Sequence, residues 1–245
     1  MKRLLRHRKG QFVIIAVLMI AVMIVSIGAV MNRAVTYYKQ EPWEEYLTLI
    51  GSIELGSRRL VELSLANYTN AASPDSTILR NNLQKWQINL TKIYPGYGVI
   101  MNYTLANQVY NVYGTSLRYS LGLNQTWLRP SSFSAANSTF NLDINSVGLK
   151  GYKFTSVAFL NLIILNVTTS SNEIAVAVKG DGGIPVTGLG EDNFQVVGFS
   201  ISKVTSSYDQ QYLIVYKIKY VGTLTLPVTV KVWDTRGIQV TAKYP

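Results

Sequence analysis

The sequence predicts an α+β protein in which a long N-terminal transmembrane and amphipathic helix and a second helix precede a β-rich head (residues 96–245). Two observations predict this class. The chain begins with an uninterrupted apolar run, and further along its apolar residues change from a helical period to a period of two. The predicted regions are a basic leader (1–10), a transmembrane helix (11–31), an amphipathic helical region (32–95), a β-rich middle region (96–170) and a C-terminal β-sandwich (171–245).

The apolar run predicts a membrane-spanning helix. Phe12 to Met31 contains 20 residues without a charge, which at about 1.5 Å per residue reaches roughly 30 Å, the thickness of a hydrocarbon core. Five cations precede it, namely Lys2, Arg3, Arg6, Arg8 and Lys9. By the positive-inside rule the protein crosses the cell membrane once, in contact with membrane lipid, with its N-terminus cytosolic and its head extracellular.

Three uses of this helix are open at the sequence level. A secretory signal peptide has a shorter apolar region of about 7–15 residues followed by small residues, whereas Ser26 to Ala29 make a poor cleavage site. A plain signal anchor needs nothing more than the apolar run. The third use is indicated by the sequence Arg8-Lys9-Gly10-Gln11-Phe12, in which a basic residue and a glycine stand before the apolar run.

This arrangement resembles the class III signal peptide of type IV prepilins and of archaeal pilin-like proteins. The resemblance covers about the first 65 residues. It implies that a prepilin peptidase cuts between Gly10 and Gln11 on the cytosolic side, leaving the apolar helix on the mature protein for self-assembly. Many bacterial members carry a glutamate at the fifth residue after the cut. This chain has Ile15 there, and archaeal relatives often lack the glutamate too.

Two amphipathic helical segments follow the apolar run. From Trp43 to Leu63, apolar residues mostly recur at spacings of three, four and seven, and Pro42 is expected to kink the helix or start it anew. A second helix is predicted within residues 70–95, since Leu79, Leu83, Trp86, Leu90 and Ile93 alternate steps of four and three before Pro95-Gly96 ends it.

From Gly98 onward the period is two. Val99, Met101, Tyr103 and Leu105 are expected on one face of a strand, as are Phe140, Leu142 and Ile144. The Ser-, Asn- and Pro-rich stretch from Leu121 to Asn137 predicts a long loop. The nearly continuous apolar stretch Val157–Val167 predicts a buried central strand.

The C-terminal 75 or so residues show the clearest strand signals. The candidate strands are Glu173–Lys179, Asn193–Ser202, Gln211–Val221, Leu226–Trp233 and Gly237–Tyr244. Their number and spacing suggest a small immunoglobulin-like sandwich. The stretch Gly183 to Phe194 resembles the entry region of bacterial and archaeal Ig-like surface modules. Because so short a unit is near the lower limit for an independent core, it is expected to pack against the middle region.

Six Asn-X-Ser/Thr sequons predict an exported, glycosylated surface. The acceptor residues are Asn67, Asn89, Asn102, Asn124, Asn137 and Asn166. The alternative is polar strand and loop surface with no sugar attached. No sequon follows Asn166, so sugars would leave the C-terminal end bare.

The composition argues against most catalytic chemistry. The chain has no cysteine, and its single histidine, His7, precedes the apolar run, so the head lacks a thiolate and an imidazole for a metal site or a catalytic triad. Asp181, Glu191 and Asp192 could form a calcium or acid–base group, although turn chemistry explains them as well. We expect no enzyme activity, no cofactor and no metal.

Charge and aromatic content indicate the kinds of partner. Five of the cations behind the net charge of +10 precede the span, and the others are scattered singly along the sequence, so no nucleic-acid partner is expected. Tyrosines crowd the middle region, where they suit subunit interfaces, glycan stacking or half-buried strands.

Together these features predict a pilin-like structural or adhesive subunit of a cell-surface appendage, of archaeal type. The alternative is a non-polymerising single-pass envelope protein whose Ig-like end binds surface-layer protein or glycan.

Overall fold

The computed structural model describes the backbone of residues 2–245 and the side chains of residues 17–33 and 44–245. The fold is α+β with strands predominating, as predicted. Within this described part, no helix is long and apolar enough to cross a membrane. The predicted span of residues 11–31 begins outside the described side chains, and the predicted cleavage residues Gly10 and Gln11 also lie outside them.

The chain forms two compact units, one ending at Ile53 and the other comprising Glu54–Pro245, which we call the C-terminal unit. Helix α1 (Lys2–Asn70) supplies residues to both and is assigned as helix through position 42, so Pro42 does not start a new helix. In the first unit, every described side chain from Val17 to Arg33 is exposed.

Within the C-terminal unit, small residues form much of the buried stripe of α1. Ser57, Val61, Ser64 and Leu65 are fully buried, whereas Leu63 is 54% exposed. The predicted stripe was therefore wrong at Leu63, because it weighed only large apolar residues. Serine lets the helix approach the sheet closely, and the hydroxyls of Ser57 and Ser156 lie 2.8 Å apart.

The second predicted helix is present as α2 (Ile78–Ile93). Leu79, Leu83 and Leu90 are buried, as their spacing predicts. Trp86 packs edge-on against Phe140 of the sheet, with ring centroids 6.1 Å apart. This contact fixes α2 against the middle of the C-terminal unit.

Twelve strands follow the helices. They are β1 (Val99–Leu105), β2 (Val109–Val112), β3 (Thr115–Arg118), β4 (Leu123–Thr126), β5 (Ser131–Ile144), β6 (Leu149–Thr168), β7 (Glu173–Lys179), β8 (Phe194–Val196), β9 (Ser200–Asp209), β10 (Leu213–Val221), β11 (Val228–Trp233) and β12 (Gln239–Tyr244). They form an antiparallel seven-stranded sheet in the order β1-β5-β6-β7-β10-β9, with β4 also pairing with β5. A small sheet has the order β12-β11-β8, and β2 and β3 form a separate hairpin.

One face of the large sheet is covered by both the helices and the small sheet. Phe140 and Ser134 lie on the same face of β5, since they are six positions apart. Phe140 meets α2, while the hydroxyl of Ser134 donates to the carbonyl of Gln239 in β12 over 2.7 Å. At the other end of this face, Phe194 of β8 packs on Tyr216 of β10. The core lies between these layers.

The opposite face of the large sheet is covered only in part, by the β2–β3 hairpin. Leu117 and Tyr119 pack there against Ala135 and Phe159, and all four side chains are buried.

The predicted alternation in β1 and in the second half of β5 is confirmed, since Val99, Met101, Phe140, Leu142 and Ile144 are buried.

The predicted loop from Leu121 to Asn137 is wrong. The structure places β4 and the first half of β5 in this stretch. Two of its three serines, Ser132 and Ser134, are fully buried beneath the small sheet with hydrogen-bonded hydroxyls. Small polar residues here permit close packing between two sheets, and composition alone cannot distinguish that from a loop.

The predicted border between residues 170 and 171 falls inside one sheet. Strand β6, which contains the predicted central stretch Val157–Val167, pairs with β5 on one side and with β7 on the other. The C-terminal segment supplies β7, β9 and β10 to the large sheet and β8, β11 and β12 to the small one. A central strand needs neighbours on both edges, and here one of them comes from beyond the predicted border.

Most of the C-terminal strand predictions are confirmed. Glu173–Lys179 matches β7, and the last three candidates contain β10, β11 and β12. Asn193–Ser202 is instead divided between β8 and β9. Gly198, which adopts φ = +87° at the break, turns the chain from the small sheet into the large one.

Candidate functional site

A cluster of two arginines and three carboxylates lies where three segments distant in sequence meet. We call it the Arg236 cluster, and its members are Arg58, Glu62, Asp181, Asp234 and Arg236. The first two come from α1, Asp181 from the turn after β7, and the last two from the turn between β11 and β12. Together with Ile184, Pro185 and Val186 they line a cleft of about 310 Å³.

The β11–β12 turn presents Arg236 to this cleft. Asp234 is the first residue of the turn, and its Oδ1 accepts hydrogen bonds from the backbone N–H groups of Arg236 and Ile238, both at 3.0 Å. This is the usual way in which an aspartate stabilises a turn at its own backbone. Its Oδ2 accepts from Nε of Arg236 at 2.7 Å, so one carboxylate shapes the turn and orients the guanidinium.

Arg236 uses its remaining donors to join the other segments. Its Nη1 lies 2.7 Å from Oδ2 of Asp181 and 3.4 Å from Oε1 of Glu62, while Nη2 donates to the carbonyl of Phe159 at 2.9 Å. Its side chain is 21% exposed. The guanidinium therefore connects α1, β6 and the turn after β7 at one point.

Asp181 is held from the opposite side. Its Oδ1 accepts from the backbone N–H of Phe159 at 2.7 Å, and Oδ2 also lies 3.4 Å from Nη2 of Arg58. Arg58 is 59% exposed, and its Nε lies 3.3 Å from Glu62. The bonds to Arg58 are long and solvent-exposed, so we expect them to contribute little compared with those to Arg236.

The electrostatics of the site favour the charged guanidinium. Burial by itself would lower the pKa of Arg236, but the negative charges of Asp234 and Asp181, and the hydrogen bonds that they accept, raise it above the ordinary arginine value. Arg236 therefore stays protonated at every pH at which the protein folds.

The chemistry of this arrangement is that of a structural tie. Each carboxylate in the cluster contacts a guanidinium, and the C-terminal unit contains neither histidine nor cysteine. Asp181 is not brought together with Glu191 and Asp192 as a ligand set. Among the described residues, no group of three or more His, Cys, Asp or Glu side chains could hold a metal ion.

The six sequon asparagines differ in accessibility. Four of them are exposed, namely Asn67 on α1, Asn89 on α2, Asn102 on β1 and Asn166 on β6. Asn137 is half-buried. Asn124 is only 8% exposed, and its Nδ2 donates to the carbonyl of Arg118 at 2.6 Å. The structure thus separates four exposed acceptor residues from one, Asn124, whose amide is buried and bonded to the backbone.

We predict that Asn124 is unmodified in the mature protein, because its amide is buried and held against the carbonyl of Arg118, which leaves no room for a sugar on Nδ2. Glycopeptide mass spectrometry of protein purified from its native membranes is expected to find sugar on exposed acceptors, including Asn102 and Asn166. An Asn102→Gln variant should lose one glycan mass and an Asn124→Gln variant none. Sugar on Asn124 would contradict the prediction, and bare exposed acceptors would contradict the expected glycosylation.

The tyrosines of the middle region divide between packing and exposure. Tyr119 is buried, which raises the pKa of its hydroxyl, with a smaller contribution from nearby Tyr113. Tyr110 packs edge-on against Tyr119, and Tyr113 against Phe159, with centroids 6.0 and 5.4 Å apart. Tyr110 and Tyr113 are nevertheless 43% and 45% exposed. The packed parts of these rings hold the β2–β3 hairpin on the sheet.

The sequence-based candidates did not include Arg58, Glu62 or Arg236. A signal was present, since the turn Asp234-Thr235-Arg236-Gly237 places an arginine between two buried strands, where a charge needs a partner. The partners lie 174 and 55 residues earlier in the chain. Without the topology, no spacing rule identifies them.

Comparisons of this chain with protein-family models, with curated proteins and with solved structures find no match.

Proposed function

We propose that this protein is a membrane-anchored extracellular structural subunit, pilin-like in organisation. The observation that carries the proposal is the exposed apolar surface of α1. Eleven large apolar side chains between Val17 and Met31 are each more than half exposed. They are not confined to one stripe of the helix, and this stretch contains no charge.

A helix that is apolar on all sides requires an apolar environment. In water, burying this surface is favourable by about 25 cal/mol per Å², so the isolated helix would aggregate. Lipid tails and the apolar helices of further copies both satisfy this requirement, and a pilin-like subunit uses the first before assembly and the second after it. The basic residues ahead of the run orient it with its N-terminus in the cytosol.

The C-terminal unit supports a structural role. Its cleft is occupied by paired charges, and the Arg236 cluster ties α1 to the β11–β12 turn and to β6. A subunit that is anchored through its helix and presents its head outside the cell needs such a connection. Force on the head has to be transmitted to α1. We propose that residues 171–245 are immunoglobulin-like in their layering. Strand β8 of the small sheet packs on β10 of the large sheet, while β12 packs on β5 and β6, which come from before residue 171.

The experiment that tests processing is mass spectrometry of the mature N-terminus after expression with a prepilin peptidase. Gln11 is expected as the first residue, and a Gly10→Phe variant is expected to keep its leader. Gly51→Phe is the matched control, since a Cβ at this exposed helical glycine meets nothing within 4 Å, and it should be processed normally. An intact leader in the unchanged protein would contradict cleavage and favour the non-polymerising anchor.

Assembly is tested separately from cleavage. Electron microscopy of isolated membranes is expected to show filaments for the unchanged protein and none for Gly10→Phe. Processed protein that remains monomeric in the membrane would contradict filament assembly. It would favour the non-polymerising anchored protein instead.

A further inference from the structure

Strand alternation gathers lysines that appear scattered in the sequence. Lys217 and Lys219 point to the same side of β10, opposite the buried Tyr216, Ile218 and Tyr220. Lys203 of β9 lies directly across from Lys219 in the antiparallel register. All three side chains are exposed, and we call them the lysine face.

One carboxylate, Glu173 of β7, lies directly across from Lys219 on this face. Among the described residues, Lys217 has the only ion pair of the three, with Nζ 3.7 Å from Oε1 of Glu173. A further cation, Lys179, borders the face on β7, with its Nζ 5.3 Å from the centroid of the Tyr212 ring. The residual charge is therefore positive.

The pairing of Lys203 with Lys219 weakens the fold. Like charges directly opposite each other on antiparallel strands are destabilising. A lysine on the edge strand β9 has a protective use, because it discourages pairing with another chain. That explanation does not extend to Lys217 and Lys219, which lie on β10 with strands on both sides.

The charge of the molecule indicates the partner. The C-terminal unit contains 16 Lys and Arg against 10 Asp and Glu, so the lysine face finds less complementary charge on a second copy of the unit than on a polyanion. None of the six sequons lies on β9 or β10, and the nearest acceptor, Asn166 of β6, is two strands away from Lys217 in the register of the sheet. Strand geometry spaces the Cβ atoms of these lysines by roughly 5 Å across the strands and 7 Å along them, and their flexible side chains can adapt to a chain with closely repeated anionic groups.

We propose that the lysine face binds an anionic polysaccharide of the cell envelope, one that carries carboxylate or sulfate groups along its chain. The proposal rests on the extracellular placement of the head given above. Lys203, Lys217 and Lys219 contact successive anionic groups, and Lys179 extends the contact at one border.

The test measures binding of the full chain in neutral detergent micelles to immobilised dextran sulfate, with neutral dextran as the blank. The triple variant Lys203→Gln, Lys217→Gln, Lys219→Gln is expected to bind about tenfold more weakly at low salt, from three exposed charge pairs each worth a factor of about two. The control Lys85→Gln, Lys92→Gln, Lys243→Gln removes the same charge from exposed positions elsewhere, and its affinity should change by less than about twofold. Equal losses in the two variants would overturn the proposal.

Two further measurements complete the test, namely the unfolding midpoint and the preference among anionic ligands. Lys203→Glu is expected to raise the unfolding midpoint, since it replaces a repulsive pair with an attractive one, while weakening binding. Weaker binding together with a lower midpoint would indicate a structural role and overturn the proposal. Preferred binding to anionic lipid vesicles or to duplex DNA over dextran sulfate and polygalacturonate would overturn it too. None of these readouts depends on leader cleavage or filaments, so failure here is distinguishable from failure of the proposed function.

Discussion

Replacement of Arg236 by methionine is expected to destabilise the C-terminal unit by about 3–5 kcal/mol. Methionine retains much of the aliphatic packing but removes the guanidinium that pairs with Asp234 and Asp181. The Asp234 side chain is 3% exposed, so its charge would remain buried without a cation. The carbonyl of Phe159 would lose its donor as well. Urea denaturation of the full chain in detergent micelles, followed by tryptophan fluorescence, measures the change.

Two further variants identify the cause of this loss. Arg58→Met removes a cation from the same cluster at a 59% exposed position, and its cost should stay below about 1 kcal/mol. Arg236→Lys retains the charge but cannot reproduce the fork of donors, so an intermediate cost is expected. If Arg236→Met and Arg58→Met were equally destabilising, net charge rather than the buried geometry would explain the effect.

The Arg236 cluster also illustrates what sequence can and cannot predict. The β11–β12 turn was predictable, because Asp and Gly flank it between two apolar strands. That Arg236 would meet Glu62 of α1 was not, since this contact depends on which sheet covers which face. Local patterns determine elements, whereas pairings between distant segments follow from the packing of layers.

The same distinction applies to β5 and to the lysine face. The Ser-, Asn- and Pro-rich composition around Ser132 and Ser134 predicts a loop. Burial of a hydroxyl is favourable only when a partner exists, and the partners here are the carbonyls of Arg129 and of Gln239 in β12. Lys203 and Lys219 are 16 positions apart, and only the antiparallel register of β9 and β10 places them opposite each other. The period of two in β10 is visible in the sequence, but the identity of the strand that pairs with it is not.

Gly122→Ala is the second change with a large expected effect, because this glycine is confined on three sides. Its backbone adopts φ = +80°, and a Cβ would lie 2.8 Å from Cδ2 of Leu79, 3.0 Å from the carbonyl oxygen of Asn137 and 3.1 Å from Cδ2 of Leu105. The backbone cannot shift to make room. The N–H of Gly122 donates to Ala106 and its carbonyl accepts from Asn137, both at 2.8 Å.

The expected cost of Gly122→Ala is about 3 kcal/mol, of which roughly 1–2 kcal/mol comes from the left-handed backbone and the rest from overpacking. Gly148→Ala is the matched control, because Gly148 has φ = +70° but nothing within 4 Å of its Cβ position. It should show the backbone cost alone. Urea denaturation of both variants gives the difference, which measures how tightly α2, β1 and β5 close around Gly122. Equal costs would mean that Leu79 and Leu105 move aside freely, which would contradict the close packing of this junction.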